Sequence, residues 1–136
     1  MSAPRDQHFL VDQRAVEKIA GFVDVSGRRV LEIGPGEGVL TRALLGRGAT
    51  VVAVEVDPAL VEELEFLFAD EIAKGRLQLV PGDATKVDFP PFDIVVANLP
   101  YSASSKITFR LLESGFEVAV LMYQKEFAQR MIARPG

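Results

Sequence analysis

Two kinds of segment alternate along the chain. Short runs of consecutive apolar, often β-branched residues predict buried strands, and longer stretches with apolar residues every three or four positions predict amphipathic helices. The predicted strands are Arg29–Ile33, Val51–Val56, Leu77–Val80, Ile94–Ala97 and Val118–Tyr123. The predicted helices are Val11–Phe22, Leu40–Arg47, Ala59–Lys74, Ser104–Ser114 and Glu126–Ala133.

This alternation predicts an α/β domain with a mostly parallel sheet and helices on both faces, because right-handed crossovers return each strand beside an earlier one. The last predicted strand, Val118–Tyr123, is as apolar as an interior strand. An exposed apolar edge promotes unwanted pairing. We therefore expect a further strand, a partner chain or additional polypeptide to cover it. The 136 residues are predicted to form one domain, 1–136.

Composition narrows the class of protein. Hydrophobic residues make up 49% and charged residues 25%, which is typical of a globular protein. The absence of cysteine excludes disulfides, thiolate zinc sites and a cysteine nucleophile. The segment Met1–Phe9 is polar, and no apolar run approaches the roughly 20 residues that span a bilayer. A cytoplasmic protein without a membrane segment is the expectation.

The net charge of −4 is unevenly distributed. Residues 1–97 carry 10 basic and 16 acidic side chains, whereas residues 98–136 carry five basic and three acidic ones. Overall acidity usually counts against a nucleic-acid partner. Here the charge is unevenly distributed, so the net charge does not describe every face of the protein. A nucleic-acid partner therefore remains an open possibility.

A glycine loop, Gly34-Pro35-Gly36-Glu37-Gly38, follows the first predicted strand, and Glu55 ends the second. Glycines admit a ligand close to the backbone, and an acid about 20 residues later suits ribose hydroxyls. Val39 stands where the dinucleotide fingerprint has its last glycine, and Glu37 puts a carboxylate where phosphates would bind. These features favour a phosphate-free nucleoside, S-adenosylmethionine, over a dinucleotide. The alternative for Glu55 is a solvated strand end.

The segment Gly82-Asp83-Ala84 follows the third predicted strand. The Asp83 carboxylate could accept from the adenine amine, and the Ala84 amide could donate to a ring nitrogen. The tripeptide alone is a common turn, but ligands of open α/β sheets bind at this end of the strands.

The fourth predicted strand runs into Asn98-Leu99-Pro100-Tyr101. An amine on a planar base needs two acceptors and a stacking surface. The Asn98 side-chain oxygen and the Leu99 or Pro100 carbonyl can accept, and Tyr101 can stack. These contacts would leave the nitrogen lone pair free to attack a sulfonium methyl group. Catalysis would then depend on positioning and electrostatics and would need no metal. The alternative is a proline turn with a core tyrosine.

Six motifs together resemble the ribosomal RNA adenine N6-dimethyltransferases, in particular the archaeal and eukaryotic branch. They are Gln7–Leu10, Glu32–Gly38 with Leu40-Thr41, Glu55–Asp57, Gly82–Ala84, Asn98–Tyr101 with Ser104-Ser105, and Met122–Ala128. The resemblance implies transfer of four methyl groups to two adjacent adenosines of small-subunit rRNA during subunit maturation, with S-adenosylhomocysteine as product. It also implies that Gln7, His8 and Leu10 close over a cofactor held by Gly34, Gly36, Glu55, Asp83, Ala84 and Asn98.

The family's Rossmann-like methyltransferase fold has two further strands, followed by a small helical domain. The chain is therefore expected to be the S-adenosylmethionine-binding portion, lacking the last strands, of a protein that is monomeric at full length. Two alternatives stay open: another N6-adenine methyltransferase, such as a large-subunit rRNA enzyme, or a cofactor-binding fragment without activity.

Overall fold

The computed structural model describes residues 13–99, 104–114, 118–123 and 128–133. Its helices are α1 (Gln13–Ala20), α2 (Val39–Gly46), α3 (Pro58–Leu67), α4 (Ala69–Ala73) and α5 (Ser104–Ser114). Its strands are β1 (Arg29–Ile33), β2 (Thr50–Glu55), β3 (Leu77–Pro81), β4 (Ile94–Leu99), β5 (Val118–Tyr123) and β6 (Ala128–Ala133).

All six strands form one sheet in the order β3-β2-β1-β4-β5-β6. The first five strands are parallel, and β6 is antiparallel to β5. The order reverses beside β1, where β2 lies on one side and β4 on the other. Ile33 at the end of β1 is in register with Val54 and Ala97. The carboxyl ends of the central strands are thus level at a topological switch point, where open α/β sheets bind ligands.

The sheet separates two apolar clusters. Val30 packs with side chains of α1 and α2 on one face, and its neighbour Leu31 packs with Ile107 and Leu111 of α5 on the other. Because both faces are covered, the strands carry continuous apolar runs rather than an alternating pattern. The expected mostly parallel sheet with helices on both faces is confirmed.

The helix predicted over Glu126–Ala133 is wrong for its described part, because Ala128–Ala133 is strand β6. Its register with β5 runs from Val118 opposite Ala133 to Tyr123 opposite Ala128. The apolar edge of β5 offers unpaired backbone groups, and pairing satisfies them. A further strand, one of the three expected coverings, therefore lies against β5.

The single helix predicted over Ala59–Lys74 is also wrong, because the helix breaks at Phe68 into α3 and α4. Phe68 is 2% exposed, whereas its neighbour Leu67 is 48% exposed. The Phe68 ring lies against Gly38, where a Cβ atom would be only 2.7 Å from its Cε2. Burying this ring beneath the glycine loop favours a break over an uninterrupted helix. Within the described ranges, no helix has the length and apolar character to span a membrane.

Candidate functional site

The four predicted motifs that follow strands meet at one edge of the sheet. Gly34 follows β1, Glu55 ends β2, Asp83 follows β3, and Asn98 lies near the end of β4. Backbone hydrogen bonds join the first three: the Gly34 N–H donates to the Val54 carbonyl, and the Gly82 N–H donates to the Glu55 carbonyl, both at 2.9 Å. The sheet therefore gathers residues that are far apart in sequence into one candidate site.

The glycine loop has a backbone that other residues rarely adopt. Gly34, Gly36 and Gly38 have φ values of 75°, 58° and 89°, in the left-handed region where a Cβ is strained. Gly38 additionally needs to lack a side chain because Phe68 packs against it. Its N–H donates to the Pro35 carbonyl at 3.0 Å, which closes the turn before α2.

Glu55 is 5% exposed, so the alternative of a solvated strand end is wrong. Its Oε1 accepts from the Gly36 N–H at 3.2 Å, and its Oε2 accepts from the Asp57 N–H at 2.9 Å. The carboxylate thus braces the glycine loop against the end of β2. The Gly36 N–H already serves an anion of the protein itself, which is unfavourable for a pyrophosphate. Each carboxylate oxygen has a second acceptor position, which suits additional donors such as ribose hydroxyls.

A second buried acid, Glu32, is the last residue but one of β1 and is 2% exposed. The Thr41 hydroxyl, itself fully buried on α2, donates to Glu32 Oε1 at 2.6 Å. Burial raises the pKa of the Glu32 carboxyl from its ordinary value of 4.5 to about 7. The hydrogen bond from Thr41 opposes the rise, and the charge of Glu55 adds to it. Glu32 and Thr41 both belong to the second of the six motifs, but the spacing of that motif predicts no role for them; an acid inside an apolar strand was a usable signal.

Asp83 begins a tight turn after β3. Its Oδ1 accepts from the Thr85 N–H at 2.8 Å and from the Thr85 hydroxyl at 2.7 Å. These two hydrogen bonds lower the pKa of the Asp83 carboxyl. The side chain is exposed, so it presents an ionised acceptor at the surface of the site. The neighbouring Ala84 is 7% exposed, and its carbonyl accepts from Arg110 Nη1 at 2.6 Å.

Asn98 and Leu99 are the last two residues of β4, in register with Met122 and Tyr123 of β5. β4 pairs on its other side with β1, the strand that leads into the glycine loop, and this pairing ends at Ala97, one residue before Asn98. The other predicted site residues lie outside the described residues: Gln7, His8, Leu10, Pro100 and Tyr101.

Two solved structures share the fold of this chain. The 23S rRNA methyltransferase ErmE is 32% identical with a TM-score of 0.74, over 85% of this chain and 48% of its own. A dimethyladenosine transferase from Plasmodium falciparum is 37% identical with a TM-score of 0.70, over 85% of this chain and 43% of its own. The fold and the strand-end site therefore define a Rossmann-like methyltransferase domain.

Residues 5–136 match the family described as ribosomal RNA adenine dimethylase. The chain belongs to this family, as the six motifs predicted. A probable ribosomal RNA small subunit methyltransferase A from Methanospirillum hungatei JF-1 is 66% identical over 136 residues, which is 100% of this chain and 53% of the relative. The chain thus spans about half the length of the curated relatives it matches.

Proposed function

We propose that this chain binds S-adenosylmethionine and holds the target base in an enzyme that methylates N6 of two adjacent adenosines in small-subunit rRNA. The observation that carries the proposal is the Glu55 carboxylate, buried at the carboxyl edge of the sheet and bonded to the Gly36 N–H. It fits a nucleoside without phosphates at a glycine loop where dinucleotide proteins receive a pyrophosphate. Membership of the family supplies the reaction and the substrate class.

The residues present fit this cofactor. Glu55 would accept from the ribose hydroxyls while keeping the loop in place through its two backbone donors. Asp83 would accept from the adenine amine, and the Ala84 N–H would donate to a ring nitrogen. Gly34 and Gly36 would let the cofactor approach the backbone closely. In this proposal the block Gln7-His8-Phe9-Leu10 closes over the bound cofactor.

S-adenosylmethionine supplies an electrophilic methyl group on a sulfonium and leaves as S-adenosylhomocysteine. In the first transfer of the proposed reaction, the Asn98 side-chain oxygen and the Leu99 or Pro100 carbonyl accept hydrogen bonds from the two N6 hydrogens, and Tyr101 stacks on the base. With this cofactor bound, the N6 lone pair would form the new carbon–nitrogen bond while the carbon–sulfur bond broke and left its electron pair on sulfur. One N6 proton leaves to solvent in each of the two transfers. The contribution of the protein is orientation and charge.

The proposed substrate is the small-subunit rRNA within a maturing ribosomal subunit, and the proposed setting is a cytoplasmic enzyme that acts as a monomer at full length. The segment 98–136, which begins with the target-base motif, carries five basic and three acidic residues. Its positive balance suits a neighbouring RNA backbone.

Calorimetric titration with S-adenosylhomocysteine tests the cofactor site. Losing a hydrogen bond to a charged group costs about tenfold in affinity or more, so we expect Glu55→Gln to weaken binding by at least that factor. Glu62→Gln, which neutralises an exposed acid on α3, is the matched control and should bind like the parent. Equal affinities for all three proteins would refute the site.

Transfer of labelled methyl groups to unmethylated small subunits tests the reaction, with the Methanospirillum hungatei relative run in parallel. We expect label in dimethyladenosine, loss of transfer in Asn98→Ala, and cofactor affinity mostly retained in that variant. A matching loss of transfer and affinity would contradict the role proposed for Asn98.

A large-subunit rRNA target is the second candidate, favoured by the likeness to ErmE. The same assay with unmethylated large-subunit rRNA decides between the two substrates. Cofactor binding with transfer to neither RNA would instead identify a binding fragment.

A further inference from the structure

Arg110 on α5 reaches the turn that carries Asp83. Its Nη1 donates to the Ala84 carbonyl at 2.6 Å. Its guanidinium carbon lies 4.5 Å from the centroid of the Phe89 ring, in the same connection between β3 and β4. The side chain is half-buried. The helix that follows the target-base motif is thus tied directly to the proposed adenine-binding turn.

The same peptide group joins Arg110 to the Asp83 carboxylate. The carbonyl of the Ala84–Thr85 peptide accepts from Arg110, and the N–H of that peptide donates to Asp83 Oδ1 at 2.8 Å. A peptide group is planar, so fixing its carbonyl also fixes the direction of its N–H. Arg110 therefore sets the orientation of the carboxylate without touching it.

The geometry uses properties that only arginine combines. A guanidinium can stack on an aromatic ring and donate in its own plane to a carbonyl, whereas an ammonium is a compact point charge. Phe89 is itself held by Phe92, with ring centroids 6.3 Å apart and planes at 80°. Phe92 is 9% exposed and belongs to the apolar cluster under α5. The donor thus has a rigid support that extends to the core.

We propose that Arg110 is a positioning residue that makes the site selective for a purine with a 6-amino group. It does so by holding the Ala84–Thr85 peptide so that the Asp83 carboxylate faces that amine. The inference rests on the proposed function, since it assumes that a nucleoside cofactor occupies the site. A 6-oxo purine would put an acceptor against the carboxylate instead of a donor, and the fixed carboxylate would reject it.

The test compares S-adenosylhomocysteine with S-inosylhomocysteine by calorimetry. The two ligands differ only in the purine: an oxo group and a ring N–H replace the amine and the bare ring nitrogen. The ratio of their dissociation constants reports selectivity and is insensitive to a general loss of folded protein. We expect the parent to prefer S-adenosylhomocysteine at least about tenfold, as a hydrogen bond to a charged acceptor implies.

Arg110→Met removes the donor and keeps an unbranched apolar stem. We expect it to reduce the preference to about threefold or less, with Arg110→Lys in between. Lys106→Met is the matched control, because Lys106 is an exposed cation on the same helix whose charge also lowers the pKa of Asp83. Both ligands feel that charge alike, so Lys106→Met should keep the parental ratio.

A ligand-free readout follows the Thr85 amide by ¹H–¹⁵N NMR. Its resonance should shift in Arg110→Met and stay in place in Lys106→Met, because only the first variant releases the peptide. If Arg110→Met fails to fold, the smaller change in Arg110→Lys decides by the same two measurements.

The outcomes separate the two claims. A parent that does not bind S-adenosylhomocysteine refutes the proposed function and this inference with it. A parent that binds and discriminates, beside an Arg110→Met variant that discriminates equally well, refutes the role of Arg110 alone.

Discussion

Replacing Glu32 by glutamine should change how stability depends on pH. Glu32 is 2% exposed in β1, and its Oε1 accepts a hydrogen bond from the Thr41 hydroxyl at 2.6 Å. Burial raises its pKa to about 7, against 4.5 for an ordinary glutamate. Glutamine has nearly the same shape, and its carbonyl can accept from Thr41, but it cannot ionise.

The direction follows from proton linkage. Below pH 4.5 the Glu32 carboxyl is protonated in both the folded and the unfolded chain and contributes no pH dependence. Between pH 4.5 and about 7 the folded chain keeps a proton that the unfolded chain releases, so stability falls as pH rises. Each pH unit is equivalent to about 1.4 kcal/mol. Above pH 7 the accumulated loss is about 3 kcal/mol, and Glu32→Gln avoids it.

Urea unfolding of both proteins at intervals between pH 5 and 8.5 measures this difference. We expect Glu32→Gln to gain stability relative to the parent steadily from pH 5 to 7, and to stay ahead by up to about 3 kcal/mol at pH 8. Glu62→Gln, on the exposed face of α3, should follow the parent at every pH. A gap between Glu32→Gln and the parent that is the same at pH 5 and pH 8 would show that Glu32 titrates normally.

Two further changes test the packing and an ion pair. Gly38→Ala should lose about 2 kcal/mol or more in urea unfolding, because a Cβ at φ 89° is strained and would lie 2.7 Å from the Phe68 ring. Gly27→Ala, at φ 71° with nothing within 4 Å, should lose only about 1 kcal/mol, and equal losses would contradict the close contact. Asp93→Asn should lose about 1 kcal/mol at pH 7, because Asp93 Oδ1 accepts from Arg29 Nη2 at 2.8 Å. The pKa of Asp93 is lowered from 3.8 to about 2, so this loss should shrink as pH falls from 4 toward 2, and a constant loss would contradict the pairing.

The five parallel strands of this fold could be predicted because their burial produces a local pattern in the sequence. A parallel strand covered on both faces is apolar at consecutive positions, and β1, β2 and β4 all show such runs. The position of the candidate site could be predicted as well, because parallel strands put Glu55 and Asp83 at the same end of the sheet.

The errors arose where distant contacts decide the structure. The segment Ala128–Ala133 is a strand because β5 has an open edge beside it. Six residues with mixed apolar and polar positions fit either a helix or a strand by pattern alone. The break at Phe68 likewise depends on Gly38, 30 positions earlier in the chain.

The contacts that support the site could not be predicted from the sequence, for the same reason. Glu32 meets Thr41 and Arg110 meets Ala84 only after a strand and a helix have packed together. Motif spacing indicates which residues face a ligand, but the partners that orient those residues depend on side-chain direction. The residues that hold the site together are therefore a property of the fold rather than of any one motif.

The two buried acids near the glycine loop, Glu32 and Glu55, accept hydrogen bonds from different kinds of donor. Glu55 accepts from two backbone N–H groups, whereas Glu32 Oε1 accepts from the Thr41 hydroxyl. Burial raises the pKa of the Glu32 carboxyl to about 7, because the hydrogen bond from one hydroxyl does not offset its desolvation. A sulfonium bound beside the glycine loop would favour the ionised form of Glu32. The buried negative charge that lowers the stability of the protein above pH 7 would thus also attract the positively charged cofactor that we propose.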